Sequence, residues 1–184
     1  MKHLEALIFD VDGTLAETER DGHRVAFNRA FQEFGLPWHW SVGLYGQLLQ
    51  VAGGKERIRY YIEQYQSQFQ PDRPLEELIP ALHQAKTGYF KELLEAHVIP
   101  LRPGVKRLLA EARRADVRLA IATTSAKDNV IPLLEALLGP DSPGWFEMIA
   151  AGDMVAHKKP APDIYHLVVE TLGLQRQNCL VIED

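Results

Sequence analysis

The chain has 184 residues, of which 46% are hydrophobic and 24% are charged. This length allows one sizeable domain, or a core with a smaller inserted domain. The formal net charge of −5 argues against a general nucleic-acid binder, which usually carries a basic patch. No apolar stretch reaches membrane-spanning length, and the first predicted strand begins at Leu4, which leaves no room for a signal or transit peptide. The single cysteine, Cys179, permits no internal disulfide, so we expect a cytoplasmic protein.

Two acidic residues follow the first predicted strand. Residues 4–9 form a short apolar run that stops at turn residues, which is typical of a buried strand. Because side chains alternate along an extended segment, the carboxylates of Asp10 and Asp12 can point the same way. Gly13 permits a sharp turn that brings backbone N–H groups close to an anion. Such a pair can bind Mg²⁺, attack phosphorus and transfer protons. A turn that uses Asp and Gly only for their turn propensity is the alternative.

The next part of the sequence predicts helices and no strand. Apolar residues recur at near-helical spacing in residues 18–34, and the Gly-Leu-Pro sequence at 35–37 closes that helix. The same spacing predicts helices at 55–66 and 75–97, with Pro80 in the first turn of the latter or at a break. The aromatic residues on these helices favour a packed core over a ligand site.

From residue 101 onward, predicted helices and strands alternate. The helices are expected at 105–115, 128–138 and 164–172, and the strands at 117–122, 146–151 and 179–182. Strands separated by helices indicate an α/β fold with a parallel sheet and right-handed crossovers. A helical domain, residues 17–99, is therefore predicted as an insertion into a core domain made of residues 1–16 and 100–184.

Three further strand ends carry candidate site residues. The Thr123-Thr124-Ser125 sequence offers hydroxyl and N–H groups for phosphate oxygens, or caps the next helix. Lys159 lies in a proline-flanked loop, where it can neutralise a nucleophilic carboxylate and a phosphoryl group, or belong to a solvated basic loop. Glu183 and Asp184 can supply acidic ligands for Mg²⁺, or form an exposed acidic terminus. The presence of such residues at all four strand ends favours a single active site.

This arrangement resembles the haloacid dehalogenase-like phosphatase superfamily over the whole chain. The resemblance implies a Rossmann-like core in which Asp10 is the nucleophile and Asp12 the general acid/base. It also implies that Thr123 is the hydroxyl of the second motif and Lys159 the lysine of the third motif. The inserted helical domain corresponds to what the superfamily calls a cap.

The resemblance also implies a metal site and a longer chain. Mg²⁺ would be held by Asp10, the backbone carbonyl of Asp12 and Asp184, with Glu183 in support. Relatives continue after Asp184 with a serine and roughly 50 further residues. A C-terminal strand with its flanking helices is therefore expected to be missing, which leaves the last strand as an unpaired edge.

Residues 53–57 predict a second anion site within the helical domain. Gly53 and Gly54 form a turn that presents N–H groups at the start of a helix, and Lys55 and Arg57 add cations. A surface helix with an ordinary charged face is the alternative. Thr124 and Ser125 are the corresponding candidates for substrate contact in the core.

Together with residues 16–19 and 150–154, this segment is similar to the CbbY family. The resemblance implies removal of one phosphate from xylulose-1,5-bisphosphate, an inhibitory by-product of Rubisco. A substrate with a phosphate at each end suits one anion site in the core and another in the cap. Glu17 and Tyr45 are candidates for contacts with the sugar hydroxyls.

Two other functions remain open at this point. A phosphosugar mutase of the β-phosphoglucomutase type would share the core and the cap. A truncated chain that only binds phosphate is the non-enzymatic alternative. The Gly-Gly-Lys-Glu-Arg segment favours the phosphatase, and the complete motifs argue against loss of catalysis. We expect a monomer that binds a small sugar bisphosphate and Mg²⁺, and neither nucleic acid nor membrane.

Overall fold

The computed structural model describes residues 4–51, 53–152 and 154–184, so Asp153 of the 150–154 segment lies outside it. The chain forms two compact units. The sheet unit comprises the residues up to Thr18 together with Ile99–Asp184, and the helical unit comprises Glu19–Val98. The boundaries predicted from the sequence lay after residues 16 and 99.

Both units are built from short regular elements. The strands are β1 (Ala6–Phe9), β2 (Arg118–Ala122), β3 (Met148–Ala150) and β4 (Cys179–Ile182). The α-helices are α1 (Arg24–Glu33), α2 (Val42–Leu48), α3 (Gly54–Tyr65), α4 (Leu75–Glu95), α5 (Val105–Arg114), α6 (Lys127–Leu138) and α7 (Asp163–Thr171). Among the described residues, no helix combines the length and the apolar character that crossing a membrane requires.

The sheet is parallel, as predicted, with the strand order β3-β2-β1-β4. Every residue of β1 is buried, because β1 pairs with a strand on each side and is an apolar run. Phe9, the last residue of β1, lies opposite Ile121 of β2 and Ile182 of β4. This register brings the carboxyl ends of neighbouring strands to the same edge, where open α/β sheets bind ligands.

The helical unit has an aromatic core. Phe27, Phe31 and Trp40 are fully buried, and the Trp40 ring meets both phenylalanine rings at centroid distances of 4.7 and 4.9 Å. Tilted and edge-to-face contacts of this kind add to the stabilisation from burial. The buried aromatic residues of the predicted helices are therefore core residues, as expected, whereas Tyr60 and Tyr65 are exposed.

Three local features differ from the sequence prediction. Thr18–His23 is a π-helical segment, so the α-helix predicted from residue 18 begins only at Arg24. The helix α2 was missed because it is short, contains two glycines and buries only Tyr45 and Leu48, which leaves little periodic signal. Pro80 is neither in the first turn nor at a break, since α4 continues through it.

Candidate active site

Three carboxylates meet where β1 and β4 end. Asp10 follows β1 and is 7% exposed, whereas Glu183 and Asp184 follow β4 and are exposed. Carboxylate oxygens of all three residues lie within 4.8 Å of one another. Such a set of hard oxygen ligands fits Mg²⁺, which prefers carboxylates and water.

Glycine at position 13 is favoured by its backbone conformation, and it allows the close approach of Asp184. Gly13 has a φ of +83°, a conformation that other residues adopt only with strain. A Cβ atom added at Gly13 would lie 2.5 Å from the Asp184 Oδ2 atom. Any larger residue would therefore push the Asp184 carboxylate away from the turn that follows β1.

Lys159 links the buried and exposed parts of this acidic cluster. Its Nζ atom donates to Asp10 Oδ1 at 2.8 Å and to Glu183 Oε1 at 2.6 Å. The Lys159 side chain is 15% exposed, whereas the neighbouring Lys158 is an exposed residue. The geometry therefore favours Lys159 over Lys158 as the lysine of the site.

The environment of Asp10 opposes its ionisation. Burial raises the pKa of Asp10 from 3.8 to about 6, and the carboxylate of Glu183 acts in the same direction. The ammonium of Lys159 lowers the pKa through its hydrogen bond and its charge, but it does not cancel the effect of burial. A further cation beside Asp10 would stabilise the ionised form that a nucleophile needs.

Hydroxyl groups hold both oxygens of the Asp12 carboxylate. Thr18 Oγ1 donates to Asp12 Oδ1 at 2.6 Å, and Ser125 Oγ donates to Asp12 Oδ2 at 2.5 Å. Hydroxyl rotors can reorient when a carboxylate gains a proton, so this pair can serve both ionisation states of Asp12. Thr18 was not among the site residues selected from the sequence, although it lies in the 16–19 segment that resembles the CbbY family.

The second predicted motif forms a tight turn after β2. Thr123 is fully buried; its N–H donates to Ala150 O at 3.0 Å, and its Oγ1 accepts from the Ser125 N–H at 3.1 Å. Thr124 is exposed. A Cβ atom at Gly152 would lie 2.3 Å from Thr124 O, so the two loops are in close contact. The Ser125 hydroxyl donates to Asp12, and its contact with substrate stays a prediction.

Glu17 forms an ion pair within the sheet unit. Arg102 Nη1 donates to Glu17 Oε1, and the Glu17 side chain is only 14% exposed. The backbone N–H of Glu17 donates to Pro100 O at 3.0 Å. Contact of Glu17 with a sugar hydroxyl therefore stays a prediction, and Arg102, absent from the sequence motifs, is the partner that orients it.

In the helical unit, residues 53–55 open α3 as predicted. Gly53 has a φ of +93°, and a Cβ atom at Gly54 would lie 2.6 Å from the ring of His83. Gly53 is thus required by the local backbone conformation, and a side chain at Gly54 would displace the His83 ring. Lys55 is exposed, so its ammonium is accessible to an anion at this helix start.

Arg57 is placed differently from Lys55. Arg57 is buried, and its guanidinium donates to Leu48 O at 3.1 Å, Val51 O at 3.2 Å and the Tyr45 hydroxyl at 3.0 Å. The Tyr45 hydroxyl in turn donates to Glu19 Oε2 at 2.6 Å. Arg57 therefore holds the segment between α2 and α3, and Tyr45, a predicted sugar contact, belongs to the same network.

The helical unit also encloses a neutral histidine. Lys86 Nζ lies 2.9 Å from His23 Nδ1, and the His23 ring stacks on Phe90 at 4.0 Å. Burial, followed by the charges of Lys86 and Arg57 and by His83, lowers the pKa of His23 well below its usual value of 6.5. The folded state therefore keeps His23 uncharged.

We expect the helical unit to lose stability as the pH falls below about 6.5, the ordinary pKa of histidine. In this range His23 binds a proton in the unfolded chain but not in the folded chain. The free energy of unfolding therefore falls by up to about 1.4 kcal/mol for each pH unit by which the pH is lowered. His83, whose pKa is lowered by burial and then by Lys86 and Lys55, acts with the same sign. Hydrogen exchange of α1 and α4 amides between pH 7.5 and 5 measures the effect, and His23→Gln should reduce it. An unchanged pH dependence in that variant would assign the effect to other groups.

The comparisons with known proteins all point to one protein family. The haloacid dehalogenase-like hydrolase family model matches residues 4–184. The plasmid CbbY protein of Cupriavidus necator is 50% identical over 181 residues, which cover 98% of this chain and 71% of that protein. The crystal structure of CbbY from Rhodobacter sphaeroides in complex with phosphate has a TM-score of 0.78 and 45% identity, and the match covers 97% of this chain and 76% of that one.

A second structure of the Rhodobacter sphaeroides protein bears on the ligand. It is a mutant in complex with xylulose-(1,5)-bisphosphate, with a TM-score of 0.77 and 44% identity over 97% of this chain and 76% of that one. The match covers both the sheet unit and the helical unit, so it extends beyond a shared core. The chain therefore belongs to the haloacid dehalogenase-like hydrolase family, within its CbbY group, and is a phosphatase.

Proposed function

We propose that this phosphatase requires Mg²⁺ and removes one phosphate from a sugar bisphosphate, most readily xylulose-1,5-bisphosphate. The observation that supports the chemistry is the placement of Lys159 between Asp10 and Glu183, at 2.8 and 2.6 Å, beside the carboxylate of Asp184. One nucleophile, one fixed cation and a set of oxygen ligands meet there at the carboxyl ends of the strands. The choice of substrate is supported by the relative whose crystal structure contains xylulose-(1,5)-bisphosphate.

Asp10 is the proposed nucleophile. One of its carboxylate oxygens forms a bond to phosphorus while the bond from phosphorus to the sugar oxygen breaks. Asp12 gives its proton to that leaving oxygen, and Lys159 offsets the charge on the phosphoryl oxygens. Asp12, now ionised, accepts its hydrogen bonds from Thr18 and Ser125.

A water molecule then completes the reaction. Asp12 takes a proton from the water, whose oxygen attacks phosphorus, and the bond between phosphorus and Asp10 breaks. Inorganic phosphate leaves, and both carboxyl groups return to their starting protonation states. When Mg²⁺ is bound by Asp10 and Asp184, with support from Glu183 and from the backbone carbonyl of Asp12, it supplies positive charge for the phosphoryl oxygens.

The second phosphate of the substrate is assigned to the start of α3. Gly53 and Gly54 expose backbone N–H groups there, and Lys55 is an exposed cation. Arg57 contributes mainly by holding the neighbouring segment, given its hydrogen bonds to Leu48 O and Val51 O. The cytoplasmic location and the monomeric state expected from the sequence stay predictions.

The function is tested by phosphate release from a panel of sugar mono- and bisphosphates, with Mg²⁺ and with a chelator. We expect release of one phosphate per xylulose-1,5-bisphosphate, and a loss of at least about 10²-fold when Mg²⁺ is removed, because the metal offsets charge at the reacting oxygens. Product analysis by NMR separates hydrolysis from a mutase reaction, which would move phosphate to another hydroxyl without net release. Turnover that is independent of Mg²⁺, or isomerisation without release, would contradict the proposal.

A further inference from the structure

Tyr165 lies against the two charged groups that flank the proposed nucleophile. It is the third residue of α7, and its hydroxyl donates a hydrogen bond to Glu183 Oε1. The same Oε1 atom accepts the hydrogen bond from Lys159 Nζ. The Lys159 ammonium also lies 5.3 Å from the centroid of the Tyr165 ring. One side chain therefore contacts the cation through its ring and the carboxylate through its hydroxyl.

Lys159 and Glu183 need such support because neither is held by its own backbone element. Lys159 lies outside the helices and strands, and its side chain has four rotatable bonds with a point charge at the end. Glu183 follows the last residue of β4, and its side chain is 36% exposed. An ion pair with a carboxylate this exposed gives little orientation by itself, because solvent and side-chain entropy compete with it.

The ring of Tyr165 and its hydroxyl act on these two groups in different ways. The ring attracts the ammonium through its quadrupole and limits where the lysine can move. The hydroxyl fixes the Glu183 carboxylate, which in turn presents a fixed acceptor to Lys159. With Glu183 held on one side and Asp10 Oδ1 at 2.8 Å on the other, the ammonium is directed at the nucleophile.

We propose that Tyr165 is a positioning residue that holds Lys159 against Asp10 by clamping Glu183. This deepens the proposed phosphatase mechanism, and only its kinetic consequence rests on that function. The geometric part applies to the chain without substrate or metal. Tyr165→Phe removes the hydroxyl and keeps the ring, whereas Tyr165→Leu removes both.

The geometric part is tested by the rate at which an N-hydroxysuccinimide acetate ester labels Lys159 in the Mg²⁺-free protein, followed by mass spectrometry. The exposed Lys158 is an internal reference, so only the ratio of the two rates is compared. We expect Tyr165→Phe to raise this ratio about tenfold, because a hydrogen bond to a charged group is lost. Tyr165→Leu should raise it about threefold further, because the contact of the ammonium with the ring is lost as well.

Tyr60→Phe is the matched control, since it removes an exposed tyrosine hydroxyl in the helical unit. An unchanged ratio in both Tyr165 variants, or an equal rise in Tyr60→Phe, would overturn the proposal. The thermal unfolding midpoint of Tyr165→Phe should fall by no more than about 4 °C, because one hydrogen bond to a partly exposed carboxylate is lost and the buried part of the side chain is kept. A raised ratio that is matched by a large fall in this midpoint would also overturn it.

The kinetic consequence is measured on the Mg²⁺-loaded enzyme. We expect a fall of about tenfold in kcat for Tyr165→Phe, with little change in KM, because Lys159 acts on charge that develops in the transition state. A changed KM with an unchanged kcat would overturn a role in positioning Lys159. If the labelling ratio rises in the Tyr165 variants while the wild type releases no phosphate from any substrate, the positioning role of Tyr165 is supported and the proposed function is contradicted.

Discussion

Asp10→Asn is expected to abolish phosphate release while the sheet unit stays folded. The amide has nearly the shape of the carboxylate, but it cannot form the bond to phosphorus. Loss of a covalent nucleophile is expected to lower kcat by at least about 10⁴-fold. Because burial raises the pKa of Asp10 to about 6, the fold disfavours its charge by about 3 kcal/mol. The metal-free variant should therefore be at least as stable as the wild type at neutral pH.

The two parts of this expectation have separate measurements. Phosphate release with Mg²⁺ reports the nucleophile, and thermal unfolding in chelator reports the buried charge. A carboxyl group whose pKa is raised by folding gives stability that is present below its unfolded pKa and is lost as the pH rises through its folded pKa. The wild type should therefore lose stability between about pH 4 and pH 6, and Asp10→Asn should not. Asp163→Asn, which changes a carboxylate that binds His157 at 2.9 Å, is the matched control.

Near-normal turnover by Asp10→Asn would show that another group attacks phosphorus. A large fall in its unfolding midpoint would show that the ion pair with Lys159 outweighs the cost of burying the charge. These outcomes are independent, because the first concerns the reaction and the second concerns the metal-free fold.

The sheet and its strand ends could be predicted from the sequence because their signals are local. Residues 6–9 are a continuous apolar run, and a strand buried on both faces needs no other pattern. Once the strands are parallel, their carboxyl ends meet at one edge, so Asp10 and Glu183 come together although they are distant in the chain. The alternation of helices and strands also limits which strands can pair, because connections between parallel strands are short and right-handed.

The groups that orient the site could not be predicted in the same way. Thr18, Arg102 and Tyr165 act through single hydrogen bonds to Asp12, Glu17 and Glu183. Each hydrogen-bond partner lies on another segment of the chain, and no rule of sequence spacing connects the two residues. A tyrosine in a helix that packs on a sheet has the same sequence pattern whether its hydroxyl meets solvent or a carboxylate.

The segment at residues 53–57 shows where a short motif combines different roles. Its two cations are separated by one residue, so the sequence assigned both of them to one anion site. The structure places Lys55 on the surface and buries Arg57, because residues two positions apart on a helix do not face the same way. Removal of the Lys55 side chain should therefore affect substrate binding, and removal of the Arg57 side chain should affect stability.

Lys55→Ala tests the anion site alone. We expect a loss of about tenfold in kcat/KM for a bisphosphate, because a charge-assisted contact is lost. A small phosphate ester that lacks the second phosphate should be hydrolysed as before. The unfolding midpoint should not change, because Lys55 is exposed.

Arg57→Ala, in contrast, should destabilise the helical unit by about 3–5 kcal/mol, because three hydrogen bonds donated by a buried guanidinium are lost. The carbonyls of Leu48 and Val51 and the hydroxyl of Tyr45 each lose a donor. Arg57→Lys should not restore stability, because a single ammonium cannot reproduce a fork that reaches three acceptors. Arg59→Ala is the control on the same helix, since Arg59 is 45% exposed and forms a 3.8 Å ion pair with the exposed Glu76. Hydrogen exchange of α2 and α3 amides measures the loss of stability. If exchange in Arg57→Ala is unchanged and only the hydrolysis of bisphosphates is weakened, the guanidinium of Arg57 contacts the substrate and does not stabilise the helical unit.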